Sequence, residues 1–377
     1  MKKILFVGAE AMPFAATGGL GDVMGSLPAA LAATGKAEVS VILPLYGAVN
    51  EKWRAEMKEE VIFTVSLAWR QQYCGVYSLT KDGVKYYASM GDARWSDTFN
   101  MTSPVMVQEG DYVAVGDMGG KTVRVYDRSG MLYDLQAEGS PVQFGLNESG
   151  YLSLITRNEK TYRVRVYNTK GTLLKERVEE SNGVYPLCSD VSDDSKVFAV
   201  SYLDTTDISP VGRVVLFYID AEESENHTDS MFAAVEKTDE IIPVIGYMKK
   251  GVLAAVSDVN VYGIGSDGAE LWAYPLENTI DQASLGHKEY MVLAFGDSVA
   301  DKDGREKGTV CWLDAGGKEK ASFEAGENVT YLQSVEKGVV IGTDRRYTGL
   351  SHGGSENWQY TATGDLSELI PMEKEGW

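Results

Sequence analysis

Cysteine and histidine are scarce in this sequence, with three of each among 377 residues. The cysteines are too few and too widely spaced for a disulfide framework or a metal site, and their apolar neighbours predict small buried side chains at Cys74, Cys188 and Cys311. The histidines stand in turn-like contexts without neighbouring ligands, which predicts solvated surface side chains at His227, His287 and His352. We therefore expect no metal and no cofactor.

Long apolar runs and an excess of basic residues are missing as well. No run approaches the roughly 20 apolar residues that a membrane helix needs. The apolar start of the chain ends at Glu10, which is short for a signal peptide and predicts a strand. Up to residue 88, nine Lys and Arg accompany eight Asp and Glu, which leaves 26 against 47 beyond it. The acidic later part should repel nucleic acid and anionic membranes, so we expect a soluble, cytoplasmic protein without either partner.

The first 88 residues have the pattern of a parallel α/β sheet. Residues 4–7 form a continuous apolar run, as in a strand buried on both faces, and a glycine-rich turn follows at 17–22. Apolar residues then recur at helical spacing up to Gly35, and residues 39–43 predict a second buried strand. This order predicts one βαβ unit. Runs at 61–67, 73–79 and 84–88 predict further strands, the last two joined by a hairpin turn at Asp82-Gly83.

The glycine-rich turn, Thr17-Gly18-Gly19-Leu20-Gly21-Asp22, allows two interpretations. Glycines let the backbone approach a phosphate, and a helix start presents free N–H groups with a partial positive charge. Many strand-to-helix turns carry glycines for geometry alone. The residues of the turn favour neither interpretation over the other.

The same region resembles the start of the bacterial ADP-glucose-dependent glycogen (starch) synthases. The resemblance rests on Glu10-Ala11-Met12-Pro13-Phe14, on the turn at 17–22, on Gly25-Ser26-Leu27-Pro28 and on Leu43-Pro44, and it extends to about Tyr87. It implies that residues 1–88 are a truncated, Rossmann-like N-terminal piece of a two-domain GT-B glycosyltransferase. It also implies a nucleotide-sugar site in which Gly18 and Gly19 face the diphosphate of ADP-glucose, with the residues Thr17, Gly18, Gly19, Leu20 and Asp22.

Departures from the family pattern weaken this implied site. The familiar form has a lysine before Thr-Gly-Gly, and here that position is Ala16. The remainder of the family's first domain and its whole second domain, which handle the acceptor and the leaving phosphate, have no counterpart in the chain. A site without its second wall cannot exclude water or hold the donor sugar. We therefore expect no catalytic residue and no synthase activity.

Beyond about residue 100 a cycle of short strands repeats. Each cycle has a short apolar run, a turn rich in Glu, Lys, Asn or Gly, and a strongly apolar run. The turns recur about every 44 residues, at Gly110, Gly150, Ser195, Gly251, Lys288, Gly338 and Gly376. Alternating strands closed by a glycine turn lie between them, as at 123–130 and 164–171. A sandwich also has short strands, but a sustained period of this length is typical of four-stranded propeller blades.

Residues 93–377 resemble an uncharacterised bacterial β-propeller family that is usually found behind an N-terminal membrane anchor. The expected fold class is therefore mixed: a partial α/β segment, then a mainly β seven-bladed propeller with an incomplete last blade. That blade would hold only an inner strand at 369–377 and an outer strand at 94–99, without its two middle strands. Residues 301–304 mimic part of a calcium loop but lack its spaced ligands, which predicts an exposed hairpin tip.

Two functions from different classes are compatible with these features. The first is a non-catalytic binding or scaffold propeller that carries the truncated synthase segment and binds an unknown ligand. The alternative is a glycosyltransferase of glycogen biosynthesis that binds ADP-glucose or α-glucan through the turn at 17–22. A propeller hydrolase is disfavoured because the sequence contains no visible Ser/His/Asp grouping.

Overall fold

The computed structural model describes ten stretches of the chain. They are residues 2–7, 11–12, 19–42, 76–80, 83–87, 93–159, 161–180, 182–296, 308–335 and 338–362. The chain divides into two compact units, Met1–Arg70 and Gln71–Trp377. No helix in the described stretches is long and apolar enough to cross a membrane.

The first unit contains the predicted βαβ arrangement. It consists of β1 (Lys2–Val7), α1 (Gly19–Ala33) and β2 (Ala37–Ile42), and the two strands pair in parallel. The helix ends at a turn in which Gly35, at φ 69°, donates its N–H to the carbonyl of Ala32 at 3.0 Å. Glycine suits this position because the left-handed backbone costs it nothing. The structure therefore confirms the predicted order of strand, helix and strand.

The second unit begins with a three-stranded antiparallel sheet. Its strands are β3 (Val76–Thr80), β4 (Gly83–Tyr87) and β5 (Ala93–Thr98), in that order. Thr80 pairs with Gly83, so β3 and β4 form the predicted hairpin, and Gly83 is the first residue of β4. The predicted division into 1–88 and 93–377 differs from the two compact units, because β3 and β4 lie with the later residues.

Six four-stranded antiparallel sheets follow, each made of consecutive strands in chain order, and we number them blades 1 to 6. Blade 1 contains β6 (Pro104–Glu109), β7 (Tyr112–Asp117), β8 (Thr122–Asp127) and β9 (Gly130–Gln136). Blade 2 contains β10 (Ser140–Leu146), β11 (Leu152–Arg157), β12 (Thr161–Tyr167) and β13 (Leu173–Glu180). Blade 3 contains β14 (Val184–Val191), β15 (Val197–Asp204), β16 (Val211–Tyr218) and β17 (Met231–Thr238), with a short helix α2 (Ala221–Glu225) before its last strand.

The last three blades have the same arrangement. Blade 4 contains β18 (Val244–Met248), β19 (Val252–Val256), β20 (Asn260–Ile264) and β21 (Glu270–Pro275). Blade 5 contains β22 (Ile280–His287), β23 (Tyr290–Gly296), β24 (Gly308–Asp314) and β25 (Glu319–Glu324). Blade 6 contains β26 (Tyr331–Val335), β27 (Gly338–Thr343), β28 (Arg346–Leu350) and β29 (Glu356–Thr361). The first strands of successive blades contact one another, as innermost propeller strands do.

The core lies between the blades. The second strand of each blade is almost entirely buried, and the fourth alternates between exposed and half-buried residues, as an outer strand should. Between blades 2 and 3, Phe198 and Phe217 stack with ring centroids 4.9 Å apart. Fully burying such a side chain contributes about 1.5–3 kcal/mol, and buried clusters of this kind recur from blade to blade.

The predicted glycine turns close the third strands of several blades. After β8 the carboxylate of Asp127 accepts hydrogen bonds from the N–H groups of Ser129 and Gly130 at 2.7 and 3.2 Å. After β24 the carboxylate of Asp314 accepts in the same way from the N–H groups of Gly316 and Lys318 at 2.8 and 3.0 Å. These side chains act as turn formers, since Asp and Asn mimic a backbone turn.

A tryptophan on the last strand of a sheet contacts the third turn of the neighbouring blade in two places. In blade 4 the Trp272 indole N–H donates to the carbonyl of Ala315 at 2.9 Å, in the third turn of blade 5. In the three-stranded sheet the Trp95 indole N–H donates to the carbonyl of Arg128 at 3.2 Å, in the third turn of blade 1. Each acceptor directly follows the turn-forming aspartate. The three-stranded sheet therefore contacts blade 1 as one blade contacts the next.

The expected blade count needs correction. The described residues form six four-stranded blades rather than seven, and residues 369–377, expected to supply an inner strand, lie outside them. The expectation that 94–99 stands without middle strands is wrong, because β5 pairs with β4 and β4 with β3. The sequence pattern assigns β3 and β4 to the synthase segment, and in the structure they pair with β5 in one sheet. Residues 301–304 also lie outside the described residues.

Candidate functional site

The implied nucleotide-sugar site is only partly described. Thr17 and Gly18 lie outside the described residues, and Gly19, Leu20 and Asp22 lie in the first turn of α1. The exposed Asp22 places a negative charge at the end of the helix that would otherwise favour an anion. The site therefore stays a prediction, with one acidic residue that opposes it.

Three charged side chains from alternate blades meet where the first turns converge, and we call them the axial ion cluster: Glu109, Asp193 and Lys288. The Lys288 side chain is only 9% exposed, and its ammonium lies 3.4 Å from Oε1 of Glu109. It also donates a hydrogen bond to the carboxylate of Asp193. These residues belong to the first turns of blades 1, 3 and 5. One lysine thus connects three blades across the ring.

Burial and neighbouring charges shift the pKa values in this region. Burial raises the pKa of Glu109 to about 7, although Lys288 acts in the opposite direction. Burial lowers the pKa of Lys288, but the charges of Glu109 and Asp193 outweigh it, and the net pKa lies above the ordinary value. Burial raises the pKa of Asp190 to about 6, against the hydrogen bond that its carboxylate accepts from the N–H of Tyr247 at 2.8 Å. Such groups mark either an ion-pair network or a functional site.

Next to the axial ion cluster is an open cleft between blades 3 and 4, which we call the turn cleft. Its volume is about 320 Å³, at the lower end of the range for small-molecule sites. The first turn of blade 3 lines one side and the first and third turns of blade 4 the other, through Ser192, Asp193, Asp194, Val197, Leu216, Tyr247, Lys250, Gly251 and Ser266. The lining combines two carboxylates, one ammonium, three hydroxyls and two apolar side chains.

Tyr247 is the residue of this lining with an unmet hydrogen bond. The residue is 5% exposed, and its hydroxyl has no partner in the described part of the chain. Burial, followed by the charges of Asp190, Asp194 and Asp193, raises the pKa of Tyr247 above its ordinary value. The phenol therefore stays protonated among three carboxylates. A buried hydroxyl without a partner is costly, and it is compatible with a partner supplied by a ligand.

The backbone beside Tyr247 is held in an uncommon conformation. Lys250 has φ 68°, in the left-handed region that few residues other than glycine adopt. On the opposite side of the turn cleft Ser195 has φ 57°, and its hydroxyl accepts a hydrogen bond from Asn147 at 2.8 Å. Such strain persists where the surrounding structure demands it, and it is common at ligand sites.

The histidines differ from the surface side chains expected. His287, in blade 5, and His352, in blade 6, have ring centroids 4.1 Å apart, and His287 stacks on Tyr290 at 5.4 Å. All three histidines are half-buried, and His227 contacts the ring of Tyr218 at 5.0 Å. The expectation failed because the paired histidines are separated along the chain and meet only across two blades. In the described residues no group of three His, Cys, Asp or Glu could hold a metal.

Two cysteines have the buried positions that were predicted. Cys188 and Cys311 are free and buried, and burial raises the pKa of each thiol to about 12. At neutral pH both are protonated and therefore poor nucleophiles. Cys74 lies outside the described residues.

The axial ion cluster and the turn cleft were not predicted from sequence. Glu109, Asp193 and Lys288 are far apart in the chain, and nothing local indicates that they meet. The signal that could have found them is their position within the repeat. Lys288 is itself one of the recurring turn positions, and Glu109 directly precedes another, Gly110. In a propeller, the first turns of all blades lie around the central axis, so residues in these turns come close together.

Comparisons with known families confirm both resemblances. A model of the "Family of unknown function (DUF5711)" matches residues 70–376, and a model of the "Starch synthase catalytic domain" matches residues 3–104. The glycogen synthase of Lactobacillus acidophilus is 51% identical over 85 residues, which are 22% of this chain and 18% of that enzyme. The glycogen synthase of Bacillus subtilis is 48% identical over 85 residues, 22% of this chain and 17% of that enzyme. The chain spans less than a fifth of the length of these relatives.

Solved structures with a similar arrangement are distant. BamB from Moraxella catarrhalis has 13% identity and a TM-score of 0.48, with 80% of this chain and 94% of that chain covered. Hsv2 from Kluyveromyces lactis has 10% identity and a TM-score of 0.49, with 77% of this chain and 96% of that chain covered. Scores at this level have no bearing on function.

Proposed function

Because the chain belongs to the family of unknown function DUF5711, we propose that its propeller is a non-catalytic binding module that also carries a short glycogen synthase segment. The binding site in this proposal is the turn cleft. The observation that carries it is the buried hydroxyl of Tyr247, which has no partner among the described residues and lines a cleft of ligand size. The cytoplasmic location predicted from the sequence stays a prediction.

The non-catalytic part of the proposal depends on the chemistry of the turn cleft. Nucleophilic catalysis needs a nucleophile beside a base, and the cleft lining contains neither cysteine nor histidine. Its serines are Ser192 and Ser266, and the hydroxyl of Ser192 donates to the Asp194 carboxylate at 2.7 Å within its own turn. A serine held in this way forms the turn rather than attacking a substrate.

Crystallographic fragment soaking of the full chain tests the binding module. We expect small polar fragments to collect in the turn cleft, with at least one polar atom within hydrogen-bond distance of the Tyr247 hydroxyl. A fragment map that leaves the turn cleft empty while other surfaces are occupied would contradict the proposal. The matched control in the same map is Tyr133. Its hydroxyl is also buried without a partner among the described residues but does not line the cleft, so fragments should not collect beside it.

We also propose that the three-stranded sheet is a seventh blade. The Trp95 contact with the third turn of blade 1 supports this, as does stacking of Trp95 on Tyr126, with ring centroids 5.1 Å apart. Asp97 of β5 accepts hydrogen bonds from Tyr126 and Arg124 of blade 1, each at 2.8 Å. In this proposal the innermost strand is the one that the sequence predicts at 369–377, which lie outside the described residues.

The identity to glycogen synthases favours a second candidate function, the binding of ADP-glucose or α-glucan by the first unit. The ligand would accept hydrogen bonds from the N–H groups of Gly18, Gly19 and Leu20. Because Ala16 replaces a cation and Asp22 adds a negative charge, binding should be weak and sensitive to salt.

Calorimetry with ADP-glucose tests this second function. We expect binding that weakens as salt is raised and that Gly19→Asp abolishes, and Ala16→Lys should strengthen it. Tight binding that is independent of salt and unchanged by Gly19→Asp would contradict a site at the helix start.

A further inference from the structure

We propose that the turn cleft binds the primary ammonium group of an organic ligand, with Tyr247 and Asp194 as the residues that recognise it. This inference rests on the proposed binding function and names the class of ligand. The partner is defined by its chemistry, an alkylammonium of modest size, and both diamines and amino acids carry that group.

The first argument is the set of open hydrogen-bond positions. The Asp194 carboxylate uses Oδ1 to accept from the Ser192 hydroxyl and from the N–H of Lys196, at 2.7 and 3.1 Å. Asp194 is exposed, so its Oδ2 can accept from a ligand in the cleft, and the buried Tyr247 hydroxyl has no partner in the described residues. An ammonium group has three donors and no acceptor. The Asp194 carboxylate and the Tyr247 hydroxyl line the same cleft and can both accept from it, whereas the carboxylate repels an anion.

The second argument is the sign of the local charge. The charges of Asp190, Asp194 and Asp193 all act on the Tyr247 hydroxyl and raise its pKa. Lys288 is the cation that faces this group from blade 5, and it is already shared between Asp193 and Glu109. Three carboxylates therefore stand against two ammonium groups, those of Lys288 and of the exposed Lys250, and the local net charge is negative. A cationic ligand is attracted by this excess.

The third argument distinguishes an organic cation from a metal ion. In the described part of the chain no group of three His, Cys, Asp or Glu has the geometry to hold a metal. The turn cleft also offers Val197 and Leu216 as an apolar lining, which a hydrated ion cannot use but an alkyl chain can. With a volume of about 320 Å³ the cleft has room for such a chain.

Lys250 determines which ammonium ligands fit best. It is exposed in the first turn of blade 4, where it lines the turn cleft opposite the carboxylates. A second ammonium on the ligand would be repelled by it, and a carboxylate would be attracted. An amino acid should therefore bind better than a diamine of similar length.

The experiment is calorimetric titration of the full chain with 1-aminobutane, and with 1-butanol as the matched neutral probe. We expect 1-aminobutane to bind and 1-butanol to bind at least tenfold more weakly, since a charged hydrogen bond is lost. Norleucine and 1,4-diaminobutane form the second pair. Norleucine should bind better than the diamine, and Lys250→Gln should reduce or reverse that difference.

Two variants and two matched controls locate the site. Asp194→Asn should weaken 1-aminobutane binding about tenfold and Tyr247→Phe about fivefold, because each removes one acceptor. Asp207→Asn changes an exposed acid at the opposite end of blade 3, and Tyr133→Phe changes the other buried hydroxyl without a partner among the described residues. Both controls should bind within twofold of the wild type. Melting curves without ligand show whether each variant is folded.

The outcomes separate this inference from the proposed function. If fragments enter the turn cleft but 1-aminobutane does not bind, the inference is wrong and the binding function stands. Equal binding by Asp194→Asn, Tyr247→Phe and the wild type would also overturn the inference. If neither fragments nor amines reach the turn cleft, both proposals fail.

Discussion

At the scale of single residues, Lys288 controls the charge balance of the ring. It is buried, and it contacts one carboxylate from blade 1 and another from blade 3. A buried ion pair gains little net stability over an apolar replacement of both partners, but removal of one partner leaves charges buried without compensation. The structure therefore predicts that a change to Lys288 lowers stability, and that a change to Glu109 alters how stability depends on pH.

Lys288→Met should destabilise the protein strongly. Glu109 and Asp193 would lose the cation between them, at a cost of about 3–5 kcal/mol in the free energy of unfolding. Urea denaturation of the wild type and the variant measures this difference. The control is Lys320→Met, which removes an exposed ion pair with Asp314, 2.9 Å in length, and should change the stability far less than Lys288→Met. Equal losses in the two variants would contradict a structural role for the axial ion cluster.

Glu109→Gln should change how stability depends on pH. The pKa of Glu109 is raised to about 7 in the folded protein, so between its ordinary pKa and that value the folded state binds more protons than the unfolded state. Stability from this group is therefore fully present below pH 4.5 and falls by about 3 kcal/mol as the pH rises to 7. The variant should lack that fall and keep a smaller one from Asp190. Parallel pH profiles of unfolding would show that Glu109 is not perturbed.

At the scale of elements, the packing of fourth-strand tryptophans on glycines recurs. The Trp272 ring lies between Gly263, its partner on β20, and Gly317, in the third turn of blade 5. In blade 6 Trp358 packs in the same way on Gly349, its partner on β28. A methyl group at either strand glycine would overlap the indole. These strand glycines therefore give the blade its close contact with an aromatic ring.

Gly263→Ala should displace Trp272 and break its hydrogen bond to the Ala315 carbonyl. The overpacking should cost about 1–3 kcal/mol in the free energy of unfolding, and the tryptophan fluorescence should shift with it. The control is Gly353→Ala, in a turn of blade 6, where an added Cβ meets nothing closer than 3.7 Å. An unchanged melting temperature for Gly263→Ala would contradict tight packing at this position.

Elements were easier to predict from the sequence than contacts were. The hairpin at Asp82-Gly83, the glycine turns and the strand periodicity depend on local chemistry, and the structure has each of them. The sequence assigns β3 and β4 to the synthase segment, and the starch synthase model also matches these residues, while strand pairing joins them to β5. The partners of Lys288, His287 and Tyr247 come from other blades, so no local pattern could indicate them.

At the scale of the whole molecule, the chain combines a short βαβ unit with a propeller. The three-stranded sheet belongs to the second unit, and β3 has one strand partner in the described residues, β4. An open strand edge in a propeller is unfavourable because its N–H and C=O groups lack partners. The seventh-blade proposal supplies that partner from residues 369–377.

Removal of residues 363–377 should therefore lower the stability of the propeller and expose an edge on β3. We expect a lower melting temperature than that of the full chain and concentration-dependent association by light scattering. The amides of β3 should also exchange faster with deuterium, as read by mass spectrometry. A truncated chain that melts like the full one, with the same exchange at β3, would remove the support for this closure.

The proposed function, a binding propeller that carries a short synthase segment, predicts that this chain does not transfer glucose. The most direct measurement is ADP release by the full chain incubated with ADP-glucose and a glucan primer, beside a protein-free blank and an intact bacterial glycogen synthase. We predict that the chain releases no ADP above the blank while the intact enzyme does. Turnover by the chain, lost on Gly19→Asp, would contradict the claim.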